Sequence, residues 1–94
     1  MQTVKILGRN NKHKVLLYAI STCGWCKRAK KFLKDNDVEF EYVDIDLCSS
    51  EDKEQIRKEI QSRGGRLAYP TVIIDNKTLL TGAPQDKLRE VLEI

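Results

Sequence analysis

Residues 15–33 read "VLLYAISTCGWCKRAKKFL", an apolar run that leads straight into Cys23 and Cys26 and then into a basic stretch. With Lys14 in front, the run "KVLLYAI" has the length and composition of a strand. From Gly24 to about Asn36 the apolar positions Trp25, Ala29, Phe32 and Leu33 recur at helical spacing. Lys27, Lys30, Lys31 and Lys34 are left largely for the outer face of that helix. The stretch is therefore a strand that delivers two cysteines to the start of a helix.

Upstream, "TVKIL" also alternates apolar and polar residues, and "GRNNKHK" joins it to the first strand described. Gly8, Asn10 and Asn11 are turn formers, so residues 1–13 read as an extra N-terminal strand and a hairpin turn. Downstream, "DND" ends the helix, and "VEFEYVDI" sets Val38, Phe40 and Tyr42 against Glu39 and Glu41, a strand with one buried face. Ser49 or Ser50 caps a second helix, acidic residues favour its first turns, Ile56 and Ile60 share one side, and Gly64 and Gly65 stop it. "PTVII" and "TLL" on either side of "DNK" read as a second hairpin, and Pro84 begins a last helix with Leu88, Val91 and Leu92 on its apolar side. A strand, helix, strand unit makes its strands parallel, whereas the later hairpin adds antiparallel ones. The expected class is α/β, one domain over residues 1–94 with a mixed central sheet that carries the extra N-terminal strand and is flanked by three helices.

Composition narrows the function classes. A 94-residue chain that is 40% hydrophobic and 33% charged supports one small globular core. No apolar run approaches the ~18 residues of a membrane span. The first residues, "MQTVKILGRNNKHK", lack the apolar core and cleavage site of a signal peptide, so a cytoplasmic location is expected. Net charge is +3, divided as +8 over residues 1–36 and −5 over residues 37–94. This asymmetry reads as a solvated lysine face, because no nucleic-acid motif accompanies it and one Trp, three Tyr and two Phe offer little for stacking.

Three cysteines are too few for the disulfide framework of a secreted scaffold. A structural zinc ion wants four ligands, and beyond the pair only Cys48 and His13 remain, on different loops and without a second paired spacing. Two buried cysteines with no chemistry form the plainest alternative, yet a Cys-x-x-Cys at a helix start after a strand is the setting of redox chemistry. One turn of helix separates the two residues by a span that a disulfide can close. Cys23 meets the unpaired N–H groups and positive end of the helix dipole, which favour a thiolate, and Lys27 and Arg28 are expected to add to this. Cys26, one turn deeper beside Ala29 and Phe32, suits a shielded thiol that attacks second. Cys48 reads as an inert extra thiol that approaches the same edge of the sheet, and His13 as a solvated residue of the first turn.

Three stretches in this order, "STCGWC" after a strand, "AYPTVIID" opening the later hairpin and "GAPQDKL" entering the last helix, resemble the thioredoxin superfamily. Within it the chain is similar to the small glutaredoxin-like redoxins, over residues 14–94. The resemblance implies a thioredoxin-like fold, a catalytic Cys23/Cys26 dithiol, and a cis bond before Pro70, with the backbone of Tyr69 pairing with the incoming substrate. It implies substrate contacts from Trp25, Lys27, Arg66, Gly82, Ala83 and Asp86 as well. Ile20, Ser21 and Thr22 stand where glutaredoxins place a basic residue before the first cysteine, and Ala83 stands for a second glycine. Glutathione, another anionic small thiol or a reductase protein therefore remain as electron donors for a monomer that requires no resident cofactor and acts on protein or small-molecule disulfides. Gly24 and Trp25 replace the usual Pro-Tyr, and glycine at that position brings the alternative of a dimer bridging a [2Fe-2S] cluster.

Overall fold

The computed structural model describes residues 3–94. Its strands are β1 (Val4–Ile6), β2 (Val15–Ala19), β3 (Phe40–Asp44), β4 (Thr71–Ile74) and β5 (Thr78–Thr81). The helices are α1 (Gly24–Asp35), α2 (Ser50–Ser62) and α3 (Gln85–Leu92), with a single turn of 3-10 helix at Ile45–Leu47. The sheet order is β1-β3-β2-β4-β5. Strands β2 and β3 are parallel, as the α1 crossover requires, and the pairings of β1 with β3, β2 with β4 and β4 with β5 are antiparallel. This is the mixed, three-helix α/β architecture expected from the sequence.

Both faces of the sheet are covered. On one side Leu17, Phe40, Val72 and Ile74 pack with Cys26, Ala29, Phe32 and Leu33 of α1 and with Leu88 and Leu92 of α3. On the other, Tyr18, Val43 and Ile73 pack with Ile56 and Ile60 of α2. Strand β3 thus buries side chains on two faces, Phe40 toward one cluster and Val43 toward the other, where alternation had suggested one buried face. Local signals set the helix ends. Asn36 caps α1 with a side-chain bond to Phe32 O at 2.8 Å, and the Ser49 hydroxyl accepts the Asp52 N–H at 3.2 Å to start α2. The β4–β5 turn places Asp75 and Asn76 both at positive φ, 54° and 58°, the geometry of a tight hairpin turn built without glycine.

The N-terminal hairpin does not form. β1 pairs with β3, Val4 opposite Tyr42 and Ile6 opposite Phe40, and so lies at the edge of the sheet, separated from β2 by β3. The connecting residues cross the start of β3 and bond to it: Asn10 N–H donates to Asp37 O, and Glu39 N–H donates to Asn10 O, each at 2.9 Å. Gly8 makes this crossing possible, because a Cβ there would stand 2.7 Å from Glu39 N. It serves a close backbone approach rather than a tight turn.

Candidate functional site

β2 ends at Ala19, and Ile20 to Thr22 carry the chain over the sheet edge into α1. Two anchors fix this loop. The Ser21 N–H donates to Asp46 Oδ1 at 2.8 Å and its hydroxyl donates to Asp46 Oδ2, which ties the loop to the segment after β3. The Cys23 N–H donates to Ile20 O at 3.1 Å. Cys23 is thereby held in extended backbone as the N-cap of α1, where its sulfur accepts the Cys26 N–H at 3.4 Å. A thiolate is well suited to that position, since capping supplies a donor that the helix leaves unpaired.

The two thiols sit in different surroundings. Cys23 is half-buried, while Cys26 is fully buried in the α1-side core and accepts the Ile20 N–H at 3.3 Å. The Cys23 pKa is lowered, first by the hydrogen bond from the Cys26 thiol, then by the Cys26 N–H, with the Trp25 N–H adding a smaller share against burial. Burial instead pushes the Cys26 thiol up to about 11. The sequence had Lys27 and Arg28 sharing in the stabilisation of Cys23, but hydrogen bonds at the helix start supply it, and both side chains are exposed. Lys30 also departs from expectation. Its side chain is 17% exposed and turns inward, with Nζ 2.9 Å from Asp44 Oδ1 and 4.1 Å from the centre of the Tyr42 ring.

Pro70 precedes β4 with the Tyr69–Pro70 bond cis, and Pro70 O accepts the Gly82 N–H at 2.7 Å. Tyr69 is half-buried and packs against both core clusters. Gly82 and Ala83 both have positive φ, 80° and 45°, and Ala83 is buried. A cleft of about 350 Å³ joins them to α1, lined by Trp25, Arg28, Ala29, Gly82, Ala83, Pro84 and Gln85. Trp25, 68% exposed, forms its rim with the Arg28 guanidinium 5.0 Å from the ring centre. Of the residues singled out in the sequence, the cleft unites Trp25, Gly82 and Ala83. Lys27, Arg66 and Asp86 are exposed and do not line it. Arg66 lies in the loop toward Pro70, and Asp86 in the first turn of α3.

Cys48 is half-buried, donates to Asp44 O at 3.6 Å and packs against the α2-side cluster, whereas Cys26 belongs to the cluster on the opposite face. His13 is partly exposed but not free in solvent: Nδ1 is 2.6 Å from Asp75 Oδ2 and Nε2 is 3.4 Å from Glu93 Oε2. The residues that sequence reasoning missed are Asp46, Asp44 and the inward-facing Lys30. Only the last had a signal, its place four residues beyond Cys26 on the same face of α1.

A thioredoxin-like sheet with a Cys-x-x-Cys pair at the start of its first helix and a cis-proline before β4 places the chain in the thioredoxin superfamily. The family model for glutaredoxin matches residues 15–79, and the chain belongs to the glutaredoxin family. It is 31% identical over 64 residues to glutaredoxin 1 of Rickettsia felis, a match covering 68% of this chain and 60% of the relative's length. Among solved structures, the glutaredoxin of Methanosarcina mazei superposes with a TM-score of 0.88 at 31% identity, covering 100% of this chain and 90% of that one. The methanoredoxin of Methanosarcina acetivorans gives 0.83 at 34% identity, covering 89% and 88%.

Proposed function

We propose that this protein is a thiol–disulfide oxidoreductase in which Cys23 attacks and Cys26 resolves. The observation that carries this is the inequality of the two sulfurs: one caps the helix with a lowered pKa, and the other is buried behind it with a raised one. The Cys23 thiolate attacks a substrate disulfide, forming a mixed disulfide and releasing the first substrate thiol. Cys26 then loses its proton and attacks the Cys23 sulfur, so that an intramolecular disulfide forms as the second substrate sulfur leaves and takes up a proton. Two electrons pass from the dithiol to the substrate. A low-molecular-weight anionic thiol or a reductase protein restores the reduced pair, with no resident cofactor.

On this reading the substrate is a protein or small-molecule disulfide that lies along the backbone of Tyr69 and Pro70, with Trp25, Gly82 and Ala83 receiving its flank. Lys27, Arg66 and Asp86 act at longer range on charged substrates. The protein works as a monomer in a reducing cytoplasm. No helix among the described residues is long and apolar enough to cross a membrane. Cys26 favours exchange over the bridging of a cluster, because a buried thiol one turn behind the attacking sulfur is what resolution needs.

The test is reduction of a neutral aromatic disulfide with glutathione, other small thiols and a thioredoxin-reductase-type protein offered separately as donors. Turnover with at least one donor, lost in Cys23→Ser, is expected. Full turnover in Cys23→Ser overturns the reading.

A further inference from the structure

Resolution depends on a thiol that the fold makes hard to ionise. Cys26 is fully buried, and at neutral pH its proton must leave before it can attack. Among the described residues, these groups bear on it. Cys23 lies at the head of α1, the Ile20 N–H comes from the end of β2, and Lys30 lies one turn farther along α1. Asp44 is reached through Lys30, Asp46 is tied up by Ser21, and Tyr69 packs against the same core from the segment before β4.

Among these, Lys30 is the cation, and its position is constructed rather than free. The spacing of four residues puts it on the Cys26 face of α1. Asp44, which grips its ammonium at 2.9 Å, is the parallel-register partner of Ala19. Ala19 immediately precedes Ile20, whose N–H points at the Cys26 sulfur. The Tyr42 ring holds the ammonium from a second side at 4.1 Å. An amine that could reach open water is thus retained beneath the site at the cost of two ordered partners.

We propose that Lys30, held by Asp44 and Tyr42, is a positioning residue for the resolving step, its fixed positive charge favouring the Cys26 thiolate that attacks the mixed disulfide. The proposal rests on the exchange reading above and adds a residue to it. The positive charge of Lys30 acts to lower the Cys26 pKa, against burial and the neighbouring Cys23 sulfur, which raise it. Asp44 offsets part of that charge, so what acts on the sulfur is a held ion pair rather than a lone cation.

The test uses one equivalent of the neutral probe 2,2′-dithiodipyridine with the reduced protein, in a Cys48→Ala background that removes the third thiol, over a range of pH. One pyridinethione is released on attack by Cys23 and the second on resolution by Cys26, as two absorbance phases. Lys30→Met keeps the aliphatic stem over Tyr42, Lys30→Gln removes it, and native circular dichroism qualifies either variant. A rise of one unit in the Cys26 pKa lowers the thiolate fraction about tenfold but raises its nucleophilicity, so resolution slows about threefold at neutral pH. The expected result is a second phase slowed by at least about threefold, with its pH midpoint moved upward, an unchanged first phase, and recovery in Lys30→Arg. In Lys30→Met/Asp44→Asn, where no carboxylate is unmasked, the upward shift persists. A second-phase midpoint in Lys30→Met equal to that of the unmodified protein overturns the proposal alone, as does Lys30→Arg behaving like Lys30→Met. A missing first phase in the unmodified protein overturns the exchange reading, and this proposal with it.

Discussion

Cys23 and Cys26 are the same chemical group separated by one helical turn, and environment alone assigns their roles. An N-cap sulfur that accepts an N–H is stabilised as an anion, while a sulfur buried in the same apolar cluster as Ala29, Phe32 and Leu33 is penalised for charge. The consequence is ordered reactivity. Iodoacetamide near neutral pH should modify Cys23 first, with a rate that titrates below the usual thiol range. Cys26 should stay unmodified in the folded protein until the pH approaches about 11. Peptide mapping after partial alkylation checks this, and early labelling of Cys26 would count against the assignment. The placement of the two sulfurs was legible in the sequence, because a strand followed by Cys-x-x-Cys and a helix fixes which one lies at the cap. The cause of the lowered Cys23 pKa was not. It depends on hydrogen bonds within the first turn, while the lysines that the sequence displays so plainly point elsewhere.

Elements with local determinants matched the sequence reading, and elements with distant partners did not. The Asn36 and Ser49 caps and the Asp75–Asn76 turn are each decided within a few residues. The place of β1 is decided by β3, more than thirty residues away, as Val4 opposite Tyr42 illustrates. Nothing in "GRNNKHK" distinguishes a turn from a crossing. Gly8 supplies the discriminating experiment. In a hairpin turn a methyl on Gly8 would stand in open solvent, but here it meets the backbone of Val38 and Glu39 at 2.7 Å. Crowding of that kind destabilises by roughly 1–3 kcal/mol. Urea unfolding of Gly8→Ala should show a lowered midpoint with an unchanged slope, and a midpoint equal to that of the unmodified protein would contradict the crossing. Lys30 follows the same logic: its spacing from Cys26 hinted at the inner face, but its partners, Asp44 and Tyr42, lie on a later strand, and the sequence reading left it with the other lysines for solvent.

Across the whole molecule, the end of the sheet opposite the cysteines is closed by a charge cluster. His13 connects Asp75 in the β4–β5 turn with Glu93 at the end of α3, and the Lys14 N–H donates to Asp75 Oδ1 at 2.9 Å. The His13 pKa is raised above 6.5, chiefly by the Asp75 hydrogen bond, and that of Asp75 is lowered below 3.8, chiefly by His13. A raised histidine contributes stability that is fully present below its unfolded pKa and is lost as pH rises through its folded one. The lowered carboxylate contributes above its unfolded pKa and loses that contribution as pH falls through its folded value. Between those limits the cluster holds the C-terminal turn of α3 to the sheet. His13→Gln should therefore lower stability more at pH 5.5 than at pH 9, as read from urea midpoints. An equal loss at both would show that the imidazole charge contributes nothing.

The central claim is the division of labour between the two sulfurs, and trapping tests it most directly. Cys26→Ser, in a Cys48→Ala background, is reduced, mixed with a disulfide substrate and examined by intact-mass and peptide mass spectrometry. Our account predicts one covalent adduct, located at Cys23, that persists until a reductant is added, where the protein with Cys26 intact resolves to its internal disulfide. An adduct that fails to form, or that clears as fast without Cys26 as with it, would contradict the account.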